Sequence, residues 1–89
     1  MVAEEIRRRL ATLAPARMEL LDESAQHAGH AGAAPGGSTH WRLTIVSAAF
    51  AGKPVVARHR MVYQALGDLM QHPIHALAIT ARAPDESDG

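Results

Sequence analysis

Apolar residues recur every three or four positions in two segments of the chain, which is the spacing of one face of an α-helix. The first segment spans residues 2–14 and stops at Pro15, which cannot continue a helix. The second spans residues 55–70, and its predicted apolar stripe consists of Val55, His59, Val62, Leu66, Leu69 and Met70. The pattern predicts two amphipathic helices.

Three other segments have the pattern of β-strands. Residues 40–47 alternate most clearly, with Trp41, Leu43 and Ile45 on the predicted core face. Residues 17–23 and 74–82 are predicted as the remaining strands, and in the last of these His75 shares a face with Leu77 and Ile79. The predicted order is helix, strand, strand, helix, strand.

This order predicts an α+β fold in one domain that spans residues 1–89. A helix joins strand 40–47 to strand 74–82, so these two strands should be parallel and joined by a right-handed crossover. Two main helices would cover one face of a three-stranded mixed sheet and leave the other face open. Residues 25–39, rich in glycine and without periodicity, are predicted as a mobile loop, and residues 85–89 as a disordered tail.

Composition narrows the function classes. The formal net charge is zero with histidine neutral, which argues against strong nucleic-acid binding. The chain has no cysteine, so it offers neither a disulfide nor a thiolate ligand. No apolar run approaches the ~20 residues of a membrane span, and the first ten residues lack a signal-peptide core. We therefore expect a cytoplasmic protein without a membrane partner.

Candidate catalytic motifs are missing from the sequence. Serines occur, but no Gly-x-Ser-x-Gly elbow surrounds them, and no phosphate-cradling glycine loop is present. The expectation is a protein that is not an enzyme. "RRR" at residues 7–9 could be a nucleic-acid patch, but a solvated helix face is favoured because three charges fall short of a usual cluster.

Histidine spacing leaves two interpretations open. His27 and His30 are three residues apart in the predicted loop, and His72 and His75 repeat that spacing before the last strand. Imidazole binds zinc, copper, iron and nickel, but spacing alone favours solvent-facing histidines. His59 is expected to be partly buried rather than a ligand.

Several segments, taken together, resemble the BolA family. They are "DES" at residues 22–24, the histidine at 27, "GSTHW" at 37–41, "VSAAFAGKP" at 46–54, "RHRMVYQAL" at 58–66 and "IHALAITARAP" at 74–84. Their order and spacing extend the resemblance over roughly residues 3–84. The resemblance implies a class II KH-like fold, which agrees with the element order predicted above.

The resemblance also implies a partner and a cofactor. BolA-like proteins bind monothiol glutaredoxins of the CGFS type, and the two proteins share a bridging [2Fe-2S] cluster that exists only in the complex with glutaredoxin and glutathione. The family's ligands fall on His75 and on His27, and His30 is an alternative to His27. Two imidazoles and two thiolates are an established ligand set for such a cluster. The implied role is iron–sulfur trafficking or iron-dependent regulation.

A nucleic-acid-binding transcriptional regulator is the alternative function, because the family has also been linked to DNA. The corresponding turn, "AGKP", has a single glycine where KH modules have Gly-x-x-Gly. Arg58 and Arg60 are expected on more exposed angles of the helix than His59. The predicted surface for a protein partner or nucleic acid therefore consists of Lys53, Arg58, His59 and Arg60. Alone, the protein is expected to be a monomer or a weak homodimer.

Overall fold

The computed structural model describes residues 2–23 and 39–86. Within these ranges the predicted order of helices and strands is confirmed. The elements are α1 (Val2–Leu10), β1 (Arg17–Asp22), β2 (His40–Val46), α2 (Val55–Leu66) and β3 (Ala76–Arg82). None of the helices in this part of the chain has the length and apolar character needed to cross a membrane.

Both helices end earlier than the hydrophobic pattern predicts. The first continues beyond Leu10 only as a 3-10 turn, Ala11–Leu13. The second ends at Gly67, which has φ 57° and ψ −128°, a backbone conformation that residues with a Cβ rarely adopt. A second 3-10 turn, Gly67–Met70, then carries Leu69 and Met70 against the core.

The sheet has the order β1-β2-β3 with β2 in the centre. β1 pairs antiparallel with β2, and Leu20 lies opposite Leu43. β2 pairs parallel with β3, with Leu43 opposite Ile79 and His40 opposite Ala76. The predicted parallel crossover through α2 is confirmed.

The core lies between the helices and one face of the sheet. Trp41, Leu43 and Ile45 are buried, so the predicted core face of β2 is confirmed. They pack with the remaining buried apolar residues of the core cluster: Ile6, Leu10, Phe50, Val62, Leu66 and Ile74. The core contains one tryptophan and one phenylalanine and is otherwise aliphatic.

The buried stripe of α2 differs from the predicted stripe in its first turn. Arg58, Val62 and Leu66 are the buried residues of the helix, at intervals of four, whereas Val55 is 63% exposed and His59 is half-buried. Arg58 can occupy a buried position because its guanidinium has partners on three sides, as described below. The expectation that Arg58 is more exposed than His59 was wrong.

Arg9 connects α1 to the end of α2. Its Nη1 donates to Leu66 O at 2.7 Å and to Asp68 Oδ1 at 2.6 Å, and its Nε donates to Glu5 Oε2 at 2.8 Å. The solvated helix face predicted for residues 7–9 therefore describes Arg7 and Arg8, which are exposed, but not Arg9.

The C-terminal end of the described chain turns back onto α2. Pro84–Glu86 forms a 3-10 turn after β3, and the Glu86 carboxylate reaches Arg58. Residues 85 and 86 thus belong to the folded structure rather than to the predicted tail. Residues 87–89 of that tail lie outside the described residues. Residues 24–38 also lie outside them, and these include all of the predicted loop except Thr39.

Candidate functional site

Two histidines meet where β2 and β3 begin. His40 is the first residue of β2, and His75 directly precedes Ala76, the residue of β3 that lies opposite His40. The His75 and Ala76 backbone N–H groups both donate to Thr39 O, at 2.7 and 3.1 Å. The imidazole ring centroids are 6.3 Å apart, with 57° between the ring planes. We call these two side chains the histidine pair.

The two rings differ in exposure. His75 is exposed, whereas His40 is half-buried and has its Nδ1 2.9 Å from Thr39 Oγ1. The neighbouring end of β1 is tied to the same place, because the Glu23 N–H donates to His40 O at 2.8 Å. The Glu23 carboxylate accepts a hydrogen bond from Arg42 Nε at 2.9 Å. Glu23 therefore pairs with Arg42, the cation two residues after His40 on β2.

The described residues contain no group of three or more His, Cys, Asp or Glu side chains arranged to hold a metal ion. The histidine pair supplies two imidazole nitrogens, which suit iron, copper, nickel and zinc. A metal centre at this place would need further ligands from elsewhere. His27 and His30, the predicted loop ligands, lie outside the described residues, and their assignment stays a prediction.

A cleft of about 310 Å³ lies at the other end of β3, beside the first turns of α2. It is lined by Val55, Arg58, His59, Ile79, Thr80, Ala81, Arg82 and Glu86. Two residues of the predicted partner or nucleic-acid surface, Arg58 and His59, line this cleft, whereas Lys53 and Arg60 are not among its lining residues.

Arg58 is a structural residue of the cleft wall. Its Nη1 and Nη2 donate to the two carboxylate oxygens of Glu86 at 2.5 and 2.7 Å. Nε donates to Lys53 O at 2.8 Å, and Nη1 also donates to Ala81 O at 3.1 Å. The guanidinium and the Ala83 N–H together lower the pKa of the Glu86 carboxyl to about 2. The positive charge of Arg58 is compensated inside the protein.

The other three residues of that predicted surface have different environments. Lys53 and Arg60 are exposed, and His59 is half-buried against the cleft. The part of the surface that can meet a partner through positive charge is therefore Lys53 and Arg60.

Comparisons with known proteins identify the family. A family model described as "BolA-like protein" matches residues 10–86. The chain belongs to the BolA family. It is 47% identical over 78 residues to SufE-like protein 1, chloroplastic/mitochondrial, of Arabidopsis thaliana, which covers 83% of this chain and 21% of that protein. It is 44% identical over 72 residues to human BolA-like protein 1, which covers 81% of this chain and 50% of that protein.

Solved BolA structures have the same fold. The BolA domain of SufE1 from Arabidopsis thaliana superposes with a TM-score of 0.82 at 45% identity and covers 94% of this chain and 93% of that one. BolA1 from the same plant gives a TM-score of 0.83 at 35% identity, covering 98% and 96%. The chain spans about half the length of human BolA-like protein 1 and about a fifth of the SufE-like protein. Its BolA fold confirms the α+β architecture predicted from the pattern.

Two residues of these surfaces were not indicated by the sequence pattern. Alternation with the core residue Trp41 places His40 on the opposite face of β2, and the pattern did not give the register, in which His40 lies opposite Ala76. Glu86 was assigned to the tail, and no local signal in this BolA sequence connects it with Arg58, 28 residues earlier.

Proposed function

We propose that this chain is a partner of a monothiol glutaredoxin and shares a bridging [2Fe-2S] cluster with it, as a non-enzymatic module in iron–sulfur trafficking or iron-dependent regulation. The observation that carries the proposal is the exposed imidazole of His75 at the start of β3, in a BolA chain without cysteine. Because this chain has no thiolate, glutaredoxin and glutathione would have to supply the sulfur ligands.

The donor set of the chain fits half of such a centre. Iron in a [2Fe-2S] cluster accepts two imidazoles in place of two thiolates, and this substitution raises the reduction potential. His75 would be one ligand and His27 the second, with His30 as the alternative. His27 follows Glu23 by four residues, which gives it a reach of about 14 Å from Glu23. The Glu23 backbone N–H donates to His40 O, so the segment that leads to His27 leaves the described structure beside the histidine pair.

Docking would use a surface that is separate from the ligands. Lys53 and Arg60 are exposed near the start of α2 and provide positive charge for an acidic patch on the partner. Charges at the rim of an interface affect the association rate and its salt dependence more than they affect a bound metal centre. His59 and the cleft would border this contact. Cytoplasmic location remains a prediction, and the location in the name of the plant relative belongs to that protein.

The decisive experiment mixes the protein with a holo monothiol glutaredoxin under anaerobic conditions and records visible absorption and circular dichroism. We expect a new spectrum for the wild type and its loss in His75→Ala. His72→Ala is the matched control, because His72 is also exposed and lies three residues away. An unchanged spectrum in His75→Ala would refute the ligand assignment. An equally tight complex with apo-glutaredoxin would instead indicate an adaptor that needs no cluster.

Nucleic-acid binding is the second candidate, supported by the cleft beside α2 and by the exposed charges of Lys53 and Arg60. Arg58 contributes less than the sequence pattern indicated, because Glu86 already compensates its charge. This function predicts binding to duplex DNA that weakens steeply with salt and weakens further in Lys53→Ala and Arg60→Ala. No salt-dependent binding at low ionic strength would eliminate it.

A further inference from the structure

The spacing of the histidine pair is close to that of two ligands on a single metal ion. The ring centroids are 6.3 Å apart. A histidine nitrogen lies about 2.0–2.1 Å from a bound zinc ion, which puts the centroids of two such ligands roughly 5 Å apart in a tetrahedral site. The remaining gap of about 1 Å would have to be closed by rotation of the side chains. His75 is exposed and has room for that rotation.

The backbone beneath the pair is held by the sheet. His40 lies opposite Ala76 in the parallel ladder, and Thr39 O accepts hydrogen bonds from the two successive N–H groups of His75 and Ala76. His40 lies on a strand and His75 directly precedes one, and side chains positioned by strands keep their separation better than side chains on loops. Binding of an ion by the pair would therefore require little additional ordering of the backbone.

Thr39 orients the His40 ring for coordination. An imidazole that binds an ion through Nε2 carries its proton on Nδ1, and metal-binding histidines usually donate that proton to a neighbouring oxygen. Thr39 Oγ1 lies 2.9 Å from His40 Nδ1 and can accept it. Repulsion from the nearby Arg42 is reduced, because Glu23 is ion-paired with it at 2.9 Å.

We infer that His40 and His75 chelate one divalent late first-row transition-metal ion, with Cu²⁺ bound most tightly. Cu²⁺ heads the affinity order of such ions for nitrogen ligands. Water would complete the coordination, since the pair supplies two nitrogens. This site needs neither a glutaredoxin nor a cluster, so it stands or falls independently of the proposed function.

The first test uses the unmodified protein. Substoichiometric Cu²⁺ is added to the isotope-labelled protein, and paramagnetic broadening of the histidine ring signals is followed by NMR. We expect the His40 and His75 rings to broaden first and together, before those of His59 and His72. Earlier broadening of the His27 and His30 rings would overturn the inference.

The second test measures Cu²⁺ affinity by calorimetry in variants. We expect His40→Asn and His75→Asn each to weaken binding by about tenfold or more, because each removes one arm of the chelate. The double variant should be little worse than either single variant, and His72→Asn should bind as the wild type does. Circular dichroism confirms that each variant is folded. Full affinity in His40→Asn, or loss only in a His27→Asn/His30→Asn variant, would contradict the assignment.

Discussion

At the scale of single residues, Arg58 joins three parts of the chain at one point. Its guanidinium donates hydrogen bonds to the carboxylate of Glu86, to the carbonyl of Lys53 before α2 and to the carbonyl of Ala81 in β3. Hydrogen bonds between charged groups with this bidentate geometry are stronger than ordinary ones. The residue therefore stabilises the fold, although its sequence context, "RHR" at residues 58–60, resembles that of a surface cation.

Substituting Arg58 tests this role. Arg58→Ala should lower Tm by several degrees, because it leaves Lys53 O and Ala81 O without their donor and removes the partner of Glu86. Arg60→Ala is the matched control, since Arg60 is exposed on the same helix, and its Tm should stay close to that of the wild type. Thermal denaturation followed by circular dichroism measures both. Equal Tm values for the two variants would show that Arg58 has no special role in stability.

The Glu86 carboxyl also makes stability depend on pH. Arg58 and the Ala83 N–H lower its pKa to about 2, and Arg8 and Arg9 lower that of Glu5 to about 2. An unfolded glutamate titrates near pH 4.3, so the unfolded chain takes up protons first as the pH falls. The contribution is complete above about pH 4.5 and is lost as the pH falls toward about 2.

Denaturant unfolding from pH 7 to pH 2 checks this dependence. The wild-type midpoint should be constant down to about pH 5 and then decrease. Glu86→Gln should start from a lower midpoint at neutral pH and show a weaker decrease, so that the two curves converge toward pH 2. Glu5 and Asp68 would account for the decrease that remains, because hydrogen bonds from Arg8 and Arg9 to Glu5 and from Arg9 to Asp68 lower the pKa of both carboxyls. Parallel curves over the whole range would mean that Glu86 does not supply the dependence.

At the scale of elements, the two faces of the sheet have different energetic importance. Leu43 in β2 is fully buried, whereas Leu21 in β1 is 57% exposed. Leu43→Ala should lower the free energy of unfolding by about 2–5 kcal/mol, through lost burial and the cavity left behind. Leu21→Ala, the same substitution on the open face, should change it by less than about 0.5 kcal/mol. Urea unfolding measures both, and similar losses would place Leu21 in an unrecognised contact.

Ser47 joins the end of β2 to its neighbours. Its hydroxyl is buried, donates to Leu13 O at 2.5 Å and accepts from the Ala49 N–H at 3.1 Å, so that it caps the 3-10 turn Ala48–Phe50. Ser47→Ala should therefore cost about 0.5–2 kcal/mol of unfolding free energy. Thr80→Ala is the control, because Thr80 is exposed on the open face. If both variants unfold at the same urea concentration, the cap does not contribute.

At the scale of the whole molecule, the order of the elements and the core face of β2 predicted from local pattern were confirmed, whereas contacts distant in sequence were missed. The alternation around Trp41 and the crossover through α2 follow from neighbouring residues, and both are present in the fold. The contacts of Arg9 with Leu66 and of Arg58 with Glu86 join residues 57 and 28 positions apart. Periodicity carries no information about such pairs, so the half-buried Arg9 and the buried Arg58 were interpreted as surface charge.

The histidine pair shows the same limit for the site. Parallel pairing of β2 and β3 was predicted, but the contact between His40 and His75 also requires the register, in which His40 lies opposite Ala76. A shift of two residues would separate the rings. The family resemblance indicated His75, while His40 became a candidate only through this register.

The two functional surfaces lie at opposite ends of β3. The histidine pair is at the start of the strand, and the last residues of the strand, Ile79 to Arg82, line the cleft. The cleft residues of β3 follow His75 by four to seven positions, which at about 3.3 Å each corresponds to roughly 13–23 Å along the strand. If the proposed glutaredoxin contacts both ends, His75 would serve as a ligand and the charges near α2 would serve docking, so substitutions at the two ends should affect different quantities.

Titrating holo-glutaredoxin into two variants separates ligation from docking. His75→Ala should give only the spectrum of holo-glutaredoxin itself at any concentration, because the proposed iron ligand is missing. Lys53→Ala/Arg60→Ala should reach the full spectrum but at a higher concentration, by about two- to fivefold for each charge at low salt. That difference should shrink as salt is added, since the lost attraction is screened. A double variant with reduced amplitude at saturation would instead place Lys53 or Arg60 in the structure of the cluster site itself.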